Sequence, residues 1–96
     1  MTDSEFKSSL AEKSPPKGLN HYLEALWYDA KGDWSKAHSI VDGPTDRLSA
    51  RVHAYLHRKE GDIWNADYWY RRAGESRPEI SLEEEAKGLL KRFLDQ

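Results

Sequence analysis

Apolar positions recur at helical spacing along most of the chain. Leu19, Leu23, Leu26 and Ala30 follow one another at intervals of four, three and four, with Tyr22 and Trp27 beside the stripe. Gly32-Asp33 breaks that pattern: glycine suits the left-handed position that ends a helix, and aspartate caps the next one. A second helix is predicted from about Trp34 to Val41, closed by the turn Asp42-Gly43-Pro44-Thr45-Asp46. Leu48, Val52, Tyr55 and Leu56 mark a third helix over 47–60, after which Gly61-Asp62 repeats the punctuation. Ile63, Ala66, Tyr70 and Ala73 share one face of a fourth, over 63–73, stopped by Gly74 and Pro78. Ser81 and Glu84 form a capping box that opens a fifth helix striped by Leu82, Ala86, Leu89, Leu90, Phe93 and Leu94. Its Lys87, Lys91 and Arg92 lie toward the end that the helix dipole favours for cations. No segment alternates with the period of a strand, so the predicted fold is all-α.

Residues 1–18 are polar and end in Ser14-Pro15-Pro16-Lys17-Gly18, a helix-breaking linker. They are expected to form a flexible N-terminal segment. Phe6 and Leu10, four apart, suggest a short helix over about 3–12 that would be marginal in isolation. Residues 19–96 then form a single helical-repeat domain.

Gly32 and Gly61 stand 29 residues apart, and that shift superposes Leu19, Leu23, Leu26 and Trp27 on Leu48, Val52, Tyr55 and Leu56. Ala25 falls on Ala54, Asp33 on Asp62 and Ala37 on Ala66. In the second copy, Ala66, Tyr70, Ala73 and Pro78 stand at the spacing of a tetratricopeptide second helix: alanine, an aromatic four later, alanine three later, then proline. The stretch 47–78 therefore resembles a tetratricopeptide or Sel1-like repeat. The first copy keeps Ala25, Tyr28, Gly32 and Ala37, but has Val41 at the aromatic position and Pro44 where the second alanine belongs, which predicts a clipped second helix. The resemblance implies antiparallel helical hairpins, two tetratricopeptide-like repeats with a C-terminal capping helix, and a scaffold or adaptor role in protein–protein contact.

The family's first-helix pattern of tryptophan, leucine, glycine and tyrosine maps onto His21, Glu24, Ala25 and Tyr28 in copy one, and onto Ala50, His53, Ala54 and His57 in copy two. The small positions survive while several large apolar ones have become polar. Three histidines and a glutamate thus occupy one repeated face, opposite the leucine stripes. His53 and His57, at i and i+4, let two imidazoles reach one ion. His21 and Glu24 are the residues expected to complete a first-row divalent metal site, or an acid–base pair. His38, beside Ala37, either joins this set or faces water. A hydrogen-bonded polar network or simple exposure is the plainer reading of the same residues. No HExxH motif, glycine-rich phosphate loop, nucleophile elbow or EF-hand loop is present, so no catalytic residue is assigned.

Composition narrows the classes further. A chain without cysteine has no disulfide framework, thiolate site or thiol nucleophile. The net charge of −2 argues against nucleic acid as a partner, although Arg47, Arg51, Arg58, Lys59, Arg71, Arg72 and Arg77 gather in the middle third. No apolar run approaches the length of a membrane span or a signal peptide, so a cytoplasmic protein without a membrane partner is expected.

Helices 19–30 and 47–60 each carry an alanine side and a leucine side, and two hairpins cannot bury both. The fifth helix is expected to seal the end of the array against helix 63–73. The leucine side then falls to residues 3–12, to a protein partner or to a second copy in a homo-oligomer. Tyr22, Leu26, Arg51, Tyr55, Arg58 and Trp64 are the residues expected to meet a partner, Trp64 standing partly exposed away from the Ala66/Tyr70/Ala73 line.

Overall fold

A computed structural model describes residues 1–95, and among them there are six helices and no strand. They are α1 Asp3–Ser9, α2 His21–Ala30, α3 Trp34–Asp42, α4 Arg47–Lys59, α5 Ile63–Arg72 and α6 Leu82–Leu94. Each of α2 to α5 begins on an Asn or Asp whose side chain accepts the N–H three residues on: Asn20, Asp33, Asp46 and Asp62. Thr2 with Glu5, and Ser81 with Glu84, close capping boxes on α1 and α6.

The chain turns from α2 to α3 and from α4 to α5 in the same way. Gly32 and Gly61 take φ of 85° and 88°. The N–H groups of Asp33 and Asp62 return to the carbonyls of Tyr28 and His57, which are themselves 29 residues apart. The result is two antiparallel hairpins, with α3 lying against α4. The first hairpin is barely clipped: α3 has 9 residues and α5 has 10.

The fifth predicted helix, α6, does not sit where the repeat pattern suggested. It packs on α2 and α4 and touches α1, and it meets α5 chiefly through the Tyr70 hydroxyl, which donates to Glu85. The physical reason is area. The leucine sides of α2 and α4 form one continuous apolar trough, which buries α6's Leu89, Leu90 and Phe93 together with Leu23, Leu26, Val52, Tyr55 and Leu56. The N-terminal segment supplies the remaining cover. Phe6 is buried in the same core, Leu10 packs against it, and the Trp27 indole donates to Ser9 Oγ at 3.1 Å.

Charge fixes α6 as well as area. Glu85 is buried with Arg58 Nη1 at 2.7 Å, Arg51 Nη1 at 2.8 Å and the Tyr70 hydroxyl on its carboxylate. Arg51 in turn holds Glu75 at 3.0 Å. A carboxylate removed from water persists only when partners of this kind surround it.

Candidate functional site

The opposite side of α4 carries the chemistry. Ala54 and Ala66 are fully buried and bring α4 and α5 into close contact, while Ala37 does the same for α3. At this three-helix joint His53 and His57, one turn apart on α4, meet His38 from α3. The ligating nitrogens of the three rings all lie within 4.8 Å of one another. His38 Nε2 and His53 Nε2 are 3.0 Å apart, and the His53 and His57 rings stack at 4.8 Å between centroids.

Two tryptophans wall the cluster. Trp34 lies parallel to His38 at 4.9 Å, its indole N–H donating to the Leu56 carbonyl at 2.7 Å. Trp69 lies parallel to His53 at 3.9 Å. His57 Nδ1 is 2.6 Å from Glu60 Oε1, which orients the ring and leaves Nε2 for a ligand. His53 Nδ1 is buried with no hydrogen-bond partner among the described residues. Burial, with the neighbouring His38 and His57 rings, holds His53 well below its ordinary range, at about 4; Asp42, 4.0 Å away, opposes this only weakly. His53 is therefore a neutral imidazole at physiological pH, which is the ligating form.

The four residues expected to form a metal site are only partly brought together. His53 and His57 meet as the i, i+4 spacing implies. His21 does reach α4, but at Ser49, one turn before His53. Its Nε2 is 2.8 Å from Ser49 Oγ and 3.9 Å from Asp46 Oδ1. It belongs to a separate polar set in which Tyr22 donates to Asp46. Burial raises the Asp46 carboxyl, but hydrogen bonds from Ser49 and Tyr22 outweigh it and hold the group near 2. The Glu24 side chain makes no hydrogen bond or ion pair among the described residues, its backbone N–H donating to the Asn20 carbonyl. The third imidazole is instead His38, contributed by α3, which lies against α4 where the first helix was expected. Its signal was its place beside Ala37, which marks the packed side of that helix.

The residues expected to meet a partner are mostly engaged within the chain. Tyr22 stacks on Phe93 at 4.9 Å, Leu26 and Tyr55 are buried beneath α1 and α6, and Arg51 and Arg58 hold Glu85. Their partner is the chain's own closing helix. Trp64 alone stands free, 79% exposed on α5.

None of the described helices is long and apolar enough to cross a membrane. No family model, curated protein or solved structure matches this chain significantly.

Proposed function

We propose that the chain binds one first-row divalent metal ion through His38, His53 and His57. The observation that carries this reading is the convergence of three imidazoles from two helices, their donor atoms within 4.8 Å of one another. Nitrogens bound to one zinc-like ion at about 2.0–2.1 Å in near-tetrahedral geometry stand about 3.4 Å apart. His38 and His53, at 3.0 Å, need to open only by a few tenths of an ångström. An all-imidazole set without thiolate favours Zn²⁺, Cu²⁺ or Ni²⁺ over Mg²⁺ or Ca²⁺. Glu60 behind His57 supplies the carboxylate that commonly backs a ligating histidine, and Asp42, its Oδ1 4.0 Å from His53 Nε2, is a candidate for a fourth position. Because the His53 proton is already absent well below neutral pH, binding there displaces none.

Calorimetric titration of metal-free protein with Zn²⁺ tests the reading. One ion per chain is expected, with affinity falling at least 100-fold in His53→Ala, about 10–100-fold in Glu60→Gln and not at all in His21→Ala. Absence of stoichiometric binding, or equal loss in His21→Ala, would overturn it.

A second reading rests on Trp64. A tryptophan this exposed on a helix flanked by Ile63 and Tyr68 favours a protein-interaction module of tetratricopeptide-like type, docking a partner or a second copy through the outer face of α5. Light scattering of the wild type and Trp64→Ala separates self-association from a monomer.

A further inference from the structure

We infer that the seam between α1 and α6 is a binding site for a single-chain amphiphile with an anionic headgroup, of the medium-chain acyl carboxylate class. A cavity of about 330 Å³ lies there, walled by Phe6, Leu10, Leu26, Tyr55, Ala86 and Leu90. Its size is at the lower end of small-molecule sites, which suits a slender aliphatic chain rather than a polycyclic ligand. Its mainly apolar walls gain by covering themselves with a hydrocarbon chain.

The charges at its mouth select the headgroup. Lys7 from α1 and Lys87 from α6 line this cavity and also an adjoining one of about 560 Å³, where Lys91 joins them. A ligand with its tail in the first cavity therefore places its head between these ammonium groups. Asp29, also at the apolar cavity, is already neutralised by Lys59 at 3.0 and 3.1 Å and accepts from the Tyr55 hydroxyl. Asp3 is held by Lys7 at 3.0 Å. Glu83 and Asp95 are the remaining acids along the seam. Lys87 and Lys91 form no ion pair within 4.0 Å among the described residues, so an incoming carboxylate meets two ammonium groups that no acid holds in contact. The site lies on the leucine side of α4, away from the histidine joint, and does not depend on metal.

Titration of the full chain with hexanoate, octanoate and decanoate, in chelator and below their micelle concentrations, tests the inference by calorimetry and 1H–15N shifts. Saturable 1:1 binding is expected, tightening about fourfold per methylene until the cavity fills. Ala86→Phe, which fills the cavity, should weaken decanoate at least tenfold. Ala30→Phe, at an exposed position on its edge, gives the same readout should the first variant fail to fold. Lys87→Glu should weaken decanoate several-fold, and His53→Ala should leave it unchanged. No saturable binding would overturn the proposal, as would undiminished binding to both phenylalanine variants. Equal affinity for decyltrimethylammonium or decanol would overturn the assignment of an anionic head, and a doubled mass in the ligand-free state that Ala30→Phe abolishes and Trp64→Ala does not would overturn the proposal by placing a second copy over the seam.

Discussion

His53 concentrates the consequences of burying a titratable ring without a charged partner. In the unfolded chain it binds a proton near its ordinary value of 6.5; in the fold it does so only near 4. Its contribution to stability is therefore complete above about pH 6.5 and lost as pH falls from there through 4, amounting to on the order of 3 kcal/mol. Urea unfolding at pH 7 and pH 4.5 should show this loss in the wild type and a smaller one in His53→Leu. Parallel pH dependences would show that His53 is not the group responsible. The i, i+4 pair of His53 and His57 was legible in the sequence because helical spacing alone puts them on one face. His21 was not assignable in the same way. Face periodicity fixes which side of a helix a residue occupies, but not how far two helices are offset along their axes, and one turn of offset delivers His21 to Ser49.

Among the elements, the hairpin turns were the most readable, because a glycine at a left-handed position followed by an aspartate cap is a local device. A Cβ at Gly61 would stand in open space, so a side chain there meets only the cost of its φ of 88°. Gly61→Val should destabilise by about 1 kcal/mol or more, whereas Gly88→Ala, exposed inside α6 with nothing near its Cβ, should stabilise by roughly 0.5–1 kcal/mol. Thermal unfolding of the two variants checks both signs. The position of α6 was not legible, since its stripe of Leu82 to Phe93 fits an end cap and a trough equally well. What adds to area in fixing it is the pairing of Glu85 with Arg51 and Arg58, residues remote in sequence that no periodicity connects. Glu85→Ala leaves both guanidiniums facing a buried gap and should cost roughly 3–5 kcal/mol, with Glu85→Gln milder. A loss below about 1 kcal/mol in chemical denaturation would mean that area alone holds the helix.

For the molecule as a whole, α1 and α6 turn what would be an open trough into a closed core. Deleting residues 1–17 removes Phe6 and Leu10 from that cover and should raise hydrophobic-dye binding and lower the melting temperature while α2 to α6 stay folded. Unchanged dye binding would mean that α6 suffices. The sequence did show that the leucine sides needed a cover and that residues 3–12 were a candidate; it could not show that two segments from opposite ends of the chain share the task.

The parallel stacking of Trp34 on His38 and of Trp69 on His53 has an optical consequence. Indole emission is sensitive to a ring in direct contact, and a paramagnetic ion held by those imidazoles would quench both tryptophans. Trp64, facing solvent, would keep emitting at longer wavelength. If the proposed site takes Cu²⁺, Trp34 and Trp69 would report its occupancy by their emission against Trp64, without any attached dye.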